Sequence, residues 1–215
     1  MDYISFEGNG LSKTFNRRKI FADISFSLKK HASLAITGRN GSGKSTLLKI
    51  LAGVLSPTKG DVEIRIENKT IPTVDHFTYL GMVSPYLQLY DEFTGWENLD
   101  IFRKVRGAEN SDEYLSDLLK SVNLWERRND LVRTYSSGMK QRLKYTFALI
   151  HKPPILLLDE PTSNLDNEGI STVYKIMEKQ KDIGILIVAT NDNDDIKLCD
   201  NVIDLNTQTQ KVNPE

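Results

Sequence analysis

The residues best suited to chemistry form a glycine-rich loop, GRNGSGKS at positions 38–45, here called the phosphate loop. It matches the pattern G-x-x-x-x-G-K-[ST], whose backbone N–H groups close around the β-phosphate of a nucleotide. A helix that begins at the end of this loop adds the positive end of its dipole. The alternative is a chance match, which four fixed positions give in roughly one chain in a hundred of this length. The loop therefore predicts nucleotide binding.

Each side chain of the phosphate loop has its own expected role. Lys44 is expected to reach the β- and γ-phosphates, and the Ser45 hydroxyl is expected to be a ligand of Mg²⁺. The other expected nucleotide contacts come from the loop and the residue after it: Gly38, Asn40, Gly41, Ser42, Gly43 and Thr46. ATP and Mg²⁺ are therefore the expected cofactors.

Two acids follow an apolar run at residues 155–158, namely Asp159 and Glu160. A carboxylate at the end of a buried strand can hold Mg²⁺ through its water shell, and a second one can polarise an attacking water. The alternative is the solvated end of a strand without a function. Because a phosphate loop is present in the same chain, we expect Asp159 to be a metal ligand and Glu160 to be the catalytic base.

The segment YSSGMKQR at residues 135–142 decides among the many classes of phosphate-loop protein. It resembles the signature motif of the ATP-binding-cassette (ABC) ATPases, and its Gly138 lies 21 residues before Asp159. Three further segments are similar to the same family, in the family's order. Phe15 resembles the aromatic residue that stacks on adenine, residues 89–99 resemble the entry to the helical subdomain, and residues 161–166 resemble the D-loop. The most similar type is the short bacterial exporter ATPase, including the haem-exporter type.

The resemblance implies an α/β fold: a P-loop NTPase core with a RecA-like mixed sheet, an antiparallel β-layer and an inserted α-helical subdomain. Residues 1–215 then form one nucleotide-binding domain. Residues 1–88 and 151–215 are the ATP-binding core with its β-subdomain, and residues 89–150 are the helical subdomain that carries the signature motif.

The resemblance also implies a second copy of the chain as partner. Ser136 and the N–H groups around Gly138 lie at the start of a helix, which is an anion site. In the family this site contacts the nucleotide of the partner subunit, so that two chains pair head-to-tail around two ATP molecules. A plain helix cap is the alternative interpretation of residues 136–138.

The chain departs from the family at two positions. Asn191 stands where the family has its switch histidine, and an asparagine donates a hydrogen bond but does not titrate. We still expect Asn191 to contribute to catalysis at the γ-phosphate. In the Q-loop, Ser84 and Pro85 occupy the usual Pro-Gln positions, and Gln88 comes three residues late. Gln88 is either a ligand of the Mg²⁺ site or a polar surface residue.

Apolar patterns predict the elements that position these residues. Alternation or a short buried run predicts strands at residues 21–28, 33–37, 62–66, 155–158 and 185–189. A period of three to four residues predicts helices at 47–55, 111–122, 136–150 and 170–177. The polar tail at 206–215 is expected to fray.

Composition excludes several classes of protein. The 28 Lys and Arg residues nearly balance 29 Asp and Glu residues, which argues against a protein that coats nucleic acid. The single Cys199 excludes a disulfide framework and a multi-cysteine zinc site and permits a reducing cytosol. No secretory segment is expected at Met1, and the apolar runs are too short to span a bilayer. Any membrane part is expected to belong to another chain.

Together these patterns predict an ATP-hydrolysing ABC transporter subunit, cytoplasmic and peripheral on the inner face of the cell membrane, that drives a separate permease. Two alternatives stay open. One is a soluble ABC ATPase, although the chain has neither the tandem cassettes of translation types nor the coiled-coil insertion of repair types. The other is a nucleotide-gated clamp that barely hydrolyses ATP, which Pro85 and Asn191 favour.

Overall fold

The computed structural model describes residues 3–207 and 209–211 of the chain. Within these residues it contains two β-sheets and seven α-helices. The strands are β1 (Ile4–Phe15), β2 (Arg18–Lys29), β3 (Ser33–Thr37), β4 (Lys59–Ile66), β5 (Lys69–Ile71), β6 (Leu80–Val83), β7 (Ile155–Asp159), β8 (Ile185–Ala189), β9 (Asn201–Asp204) and β10 (Thr209–Lys211). The helices are α1 (Lys44–Leu51), α2 (His76–Tyr79), α3 (Gly95–Val105), α4 (Asp112–Ser121), α5 (Ser137–Leu149), α6 (Asn167–Ile183) and α7 (Asn193–Lys197).

The smaller sheet is antiparallel, with the strand order β2-β1-β4-β5. Its strands alternate between buried apolar and exposed polar residues, as expected for a sheet with one face on the core. Phe6, Phe21 and Ile64 are fully buried on that face. The β1–β2 hairpin turns at Asn16 and Arg17, both at positive φ, which matches the two-residue turns that suit the twist of a hairpin.

The larger sheet has the order β10-β9-β3-β8-β7-β6 and is parallel except for β10. Every residue of β7 and β8 is buried, in keeping with strands that are covered on both faces. Asp159 at the end of β7 lies opposite Ala189 at the end of β8, and β3 is the other neighbour of β8. The loops that follow these three strands therefore meet at one edge of the sheet, where α/β proteins bind ligands.

Helices α3, α4 and α5 lie in the chain between β6 and β7. Each begins at a residue whose side chain accepts a hydrogen bond from the first turn: Thr94, Ser111 and Ser136. Thr94 forms a reciprocal capping box with Glu97. Fully buried apolar residues join the three helices to a common core: Leu99, Leu115, Leu119 and Leu143.

Among the described residues, the apolar patterns predicted five of the ten strands and four of the seven helices, and these elements have no predicted counterpart: β1, β5, β6, β9, β10, α2, α3 and α7. The structure also differs from the sequence-based expectations at element ends and in the tail. Helix α1 ends at Leu51, because Gly53 adopts positive φ there, and Leu55 packs on the core from the following turn. The tail was expected to fray from residue 206, but residues 209–211 form β10, which pairs with β9. Residue 208 and residues 212–215 of that tail lie outside the described residues, as do Met1 and Asp2.

Across residues 3–207 and 209–211, no helix combines the length and the apolar content that a membrane span requires. The predicted architecture of mixed α/β type with an antiparallel layer is confirmed.

Candidate functional site

Lys44 is the first residue of α1 and points back into the phosphate loop. Its Nζ donates a hydrogen bond to the Gly38 carbonyl oxygen at 2.9 Å. The same ammonium group lies 3.4 Å from Glu160 Oε1, and only 6% of its side chain is exposed. A buried cation with one carbonyl and one carboxylate nearby has donor capacity left for further oxygen atoms.

The phosphate loop holds a backbone conformation that requires glycine. Gly43 precedes α1 at φ 106°, and a Cβ atom there would lie 2.5 Å from Ile20 Cγ2. The neighbouring Ser42 Oγ is buried and has no hydrogen-bond partner among the described residues. The loop therefore presents backbone N–H groups and one unsatisfied hydroxyl, which suits an anionic ligand.

Ser45 of α1 and Asp159 of β7 are 114 residues apart in the chain, but the fold brings them together. The Ser45 hydroxyl donates to Asp159 Oδ1 at 2.9 Å. The second oxygen, Asp159 Oδ2, is buried and has no partner within the described part of the chain. Burial raises the pKa of the Asp159 carboxyl, an effect that the Ser45 hydroxyl and the charges of Lys49 and Lys44 oppose.

These donors fit Mg²⁺. The orphaned oxygen of a buried carboxylate is a costly feature unless a cation occupies the site, and a carboxylate with a hydroxyl oxygen is the donor set that Mg²⁺ prefers.

Glu160 begins the loop after β7 in the left-handed backbone region, at φ 51°. Its backbone N–H donates to the Ala189 carbonyl oxygen at 2.8 Å, which fixes the start of this loop against the end of β8. About one third of its side chain, 35%, is exposed, and its Oε1 lies 3.4 Å from the Lys44 ammonium group. Glu160 is thus a carboxylate that reaches both water and the phosphate loop.

Asp195, in α7, connects the two loops that follow β7 and β8. Its fully buried carboxylate accepts hydrogen bonds from Thr190 Oγ1 at 2.7 Å and from Thr162 Oγ1 at 3.2 Å. Tyr174, from α6, is a third hydrogen-bond partner. Burial raises the pKa of Asp195. Sequence reasoning missed this residue, because an aspartate in the acidic run 192–195 reads as solvated unless its burial is known.

Replacement of Asp195 by alanine is expected to lower the free energy of unfolding by about 2–4 kcal/mol, because it leaves the buried Thr190 hydroxyl and the partly buried Thr162 hydroxyl without an acceptor. Chemical denaturation of the purified chain measures this change. Asp194→Ala is the matched control: Asp194 is exposed and pairs with the exposed Lys197, so its loss should change stability by less than about 0.5 kcal/mol. Equal effects of the two substitutions would contradict the prediction.

Asn191 follows β8 and reaches the phosphate loop. Its side-chain amide donates to Asn40 Oδ1 at 3.0 Å. Both side chains are exposed, so the contact lies at the mouth of the site. The structure thus brings together the two asparagines predicted to contact the nucleotide.

Ser84 and Pro85 occupy the expected Q-loop positions. Ser84 is buried, and its hydroxyl accepts a hydrogen bond from the Tyr86 N–H at 3.3 Å. Lys144 donates to the Pro85 carbonyl oxygen at 3.0 Å. Gln88 is exposed and has no hydrogen bond among the described residues. The structure does not place Gln88 at Asp159.

The signature motif begins at Ser136, whose Oγ accepts from the Met139 N–H at 3.2 Å and so caps α5. The buried Tyr135 anchors this turn through a hydrogen bond to the Arg127 carbonyl oxygen at 2.6 Å. No described hydrogen bond or ion pair joins Ser136 or Gly138 to the phosphate loop. A Cβ atom on Gly138 would come no closer than 3.5 Å to any other group, so neither packing nor φ requires glycine here.

Phe15 lies at the tip of the β1–β2 hairpin, with 44% of its surface exposed. The Lys13 ammonium group lies 4.7 Å from the ring centroid. An exposed aromatic face of this kind is available for stacking on a planar base.

Comparisons with known proteins agree on one family. The family model described as "ABC transporter" matches residues 21–163. The uncharacterized ABC transporter ATP-binding protein YybJ of Bacillus subtilis (strain 168) is 32% identical over 198 residues, which are 91% of this chain and 90% of the relative. Five other Bacillus subtilis relatives are longer, and the chain spans 60–65% of their length.

Solved structures are similar in fold. A structure of an ATP-binding subunit of an ABC transporter has a TM-score of 0.79 and 25% identity, covering 93% of this chain and 85% of that one. A dimeric ATP-binding cassette bound to ADP and Pi has the same TM-score at 24% identity, covering 93% of each chain. The chain therefore belongs to the ABC transporter family and has the fold of that family's ATP-binding subunits.

Proposed function

We propose that this chain is the ATP-binding and ATP-hydrolysing subunit of an ABC transporter and that it drives a separate membrane permease. The observation that carries this proposal is one cluster: the buried Lys44, the unsatisfied oxygen of Asp159 and the partly exposed Glu160 at the same sheet edge. This cluster combines a phosphate ligand, a metal ligand and a base, which are the three groups that phosphoryl transfer to water needs.

Each group has one task in this reaction. The phosphate loop and Lys44 bind and neutralise the β- and γ-phosphates, and Phe15 stacks on the adenine. Asp159 and Ser45 would hold Mg²⁺, which would neutralise charge on the phosphates when bound. Glu160 accepts a proton from the water whose oxygen forms the new bond to the γ-phosphorus, while the bond to the bridging oxygen of ADP breaks.

Asn191 adds no titrating group to the γ-phosphate side of the site, because its amide has no titrating proton. Asn191→His is expected to add a step near pH 6.5 to the rate of phosphate release, with faster turnover on the acid side, where the imidazole is cationic and attracts phosphate. Steady-state assays from pH 5.5 to 8.5 measure this step. The exposed Asn193→His is the matched control. A step of the same size in that control would contradict the prediction.

The active unit is proposed to be a head-to-tail dimer. Gly138 has room for a side chain within its own subunit, so the absence of one is explained if another group approaches this surface closely. Ser136 and the start of α5 then present N–H groups and a hydroxyl to the nucleotide of the second chain. Two copies related by a two-fold axis bury two nucleotides in this way.

A groove at the boundary between the core and residues 89–150 is the proposed permease site. Its cavity of about 290 Å³ is lined by Lys49 of α1, by Ser84 and Tyr86 after β6, and by Phe102 and Phe147 of α3 and α5. Tyr86 is largely exposed, with the Lys49 ammonium group 4.6 Å from its ring centroid. A pocket lined by aromatic and apolar side chains, with one largely exposed tyrosine, suits a protein helix as occupant. Docking there places the chain on the inner face of the membrane.

The proposal is tested by capturing the full chain from gently solubilised native membranes and assaying phosphate release by the captured complex. We expect a multi-span membrane protein in near-equal amount and a rate well above that of Lys44→Ala. Capture of soluble partners alone would contradict the proposal that the chain drives a membrane permease, and would favour a soluble ABC ATPase. A wild-type rate of phosphate release equal to that of Lys44→Ala would contradict the proposal that the chain hydrolyses ATP, and would favour a nucleotide-gated clamp.

A further inference from the structure

A second cavity, remote from the phosphate loop in the chain, lies between α4 and α6. It has a volume of about 520 Å³, within the 300–1,000 Å³ that is typical of small-molecule sites. Residues one helical turn apart line it from both helices, including Leu118 of α4 and Ile176 of α6. Leu149, the last residue of α5, and Pro153, just before β7, form its floor. The lining is mainly apolar, so the cavity suits the hydrocarbon part of a ligand.

Three lysines lie around this cavity: Lys152, Lys175 and Lys179. None of the three forms an ion pair with a carboxylate among residues 3–207. The one acidic lining residue, Asp117, is already paired with Lys120 at 3.0 Å. The Lys152 ammonium group lies 4.5 Å from the ring centroid of Tyr114, which holds it at the cavity edge. The site therefore has an excess of positive charge beside an apolar floor.

The floor is held in a fixed conformation by Gln180, a buried residue of α6. Its side-chain nitrogen donates to the carbonyl oxygens of Pro153 and Pro154, at 3.3 Å and 3.2 Å. These bonds connect α6 to the segment that leads into β7. The floor of the cavity is thus held in place before any ligand arrives, which lowers the entropic cost of binding.

We propose that this cavity binds an amphipathic anion: a single alkyl chain that lies between α4 and α6, with a carboxylate at the lysines. Burial of the chain supplies about 0.8 kcal/mol for each methylene group removed from water. The lysines make the site selective for an anion. Exposed charge pairs add little binding free energy, but they discriminate between charged and neutral head groups. The inference is independent of the permease and of ATP hydrolysis, because no residue of the phosphate loop lines the cavity.

Isothermal titration calorimetry of the full chain with decanoate, below its micelle concentration, tests the proposal. We expect saturable binding of one decanoate per chain and none for acetate, which lacks the alkyl chain. Decan-1-ol, which lacks the charge, is expected to bind about tenfold more weakly. Failure of decanoate to saturate, or equal affinity for decan-1-ol, would overturn the proposal.

Two variants locate the site. Lys175→Gln with Lys179→Gln is expected to weaken decanoate binding about tenfold, and Ser121→Trp, at the exposed edge of α4, is expected to block it. The double variant Lys59→Gln with Lys69→Gln removes the same charge from the exposed antiparallel sheet and should bind as the wild type does. Equal losses of decanoate affinity in the two double variants would show non-specific electrostatic attraction and would contradict binding in this cavity.

Discussion

Replacement of Glu160 by glutamine is expected to slow ATP hydrolysis by at least about 100-fold, the lower end of what a general base contributes. The amide has nearly the shape of the carboxylate but does not accept the proton of the attacking water. The charge facing Lys44 is also removed, which leaves the ammonium group freer to bind phosphate. ATP binding should therefore persist, and the ATP-bound dimer should accumulate.

Two measurements check this expectation: phosphate release under saturating ATP and Mg²⁺, and size-exclusion chromatography of the same sample. Glu178→Gln is the matched control, since Glu178 is exposed on α6 and lines neither the site nor the proposed dimer surface. A monomeric Glu160→Gln chain in the presence of ATP would contradict the head-to-tail dimer. Retained turnover would assign the proton transfer to another group.

Replacement of Asp159 by asparagine is expected to separate stability from activity. Loss of a residue that only orients a metal ligand lowers metal affinity or activity roughly 10–100-fold. We expect the loss of a direct ligand to lower the rate of ATP hydrolysis by more than this. Without nucleotide and metal, however, the variant should be at least as stable as the wild type at pH 7. Burial raises the pKa of Asp159 in the folded chain, so its ionised form opposes folding, and a neutral amide avoids that cost.

Thermal unfolding with and without Mg²⁺-ATP, together with phosphate release, checks both parts. The wild type is expected to gain stability on addition of Mg²⁺-ATP, and most of that gain should be missing in Asp159→Asn. Asp182→Asn, at an exposed position late in α6, is the control for the loss of an acid. A less stable metal-free Asp159→Asn would contradict the view that Asp159 is held for a cation.

The chain order of the motifs was enough to predict the class of fold. The strand before the phosphate loop was predicted at its observed bounds, Ser33–Thr37, and so was Ile185–Ala189. Both are short apolar runs next to a turn, so local pattern and tertiary position agree. The family prediction is confirmed by the match over residues 21–163.

What the sequence did not predict depends on contacts between distant segments. Asp195 lies in a polar run, and only the packing of α7 against β3 and the loops after β7 and β8 buries its carboxylate beside Thr190 and Thr162. The strand β10 was missed for the same reason, because pairing with β9 overrides its polar composition. The roles of the individual site residues and the division at residues 89–150 remain proposals.

Helix α1 is only eight residues long, yet it has a functional group at each end. Ser45, beside Asp159, lies in its first turn, and Lys49, under Tyr86, lies one turn later. At 1.5 Å per residue, the rise between them is about 6 Å. A helix this short moves as a rigid body, so a shift of one end along the axis moves the other end by the same distance. A displacement of α1 on nucleotide binding would therefore move Lys49 and the groove directly, without a conformational change in residues 89–150.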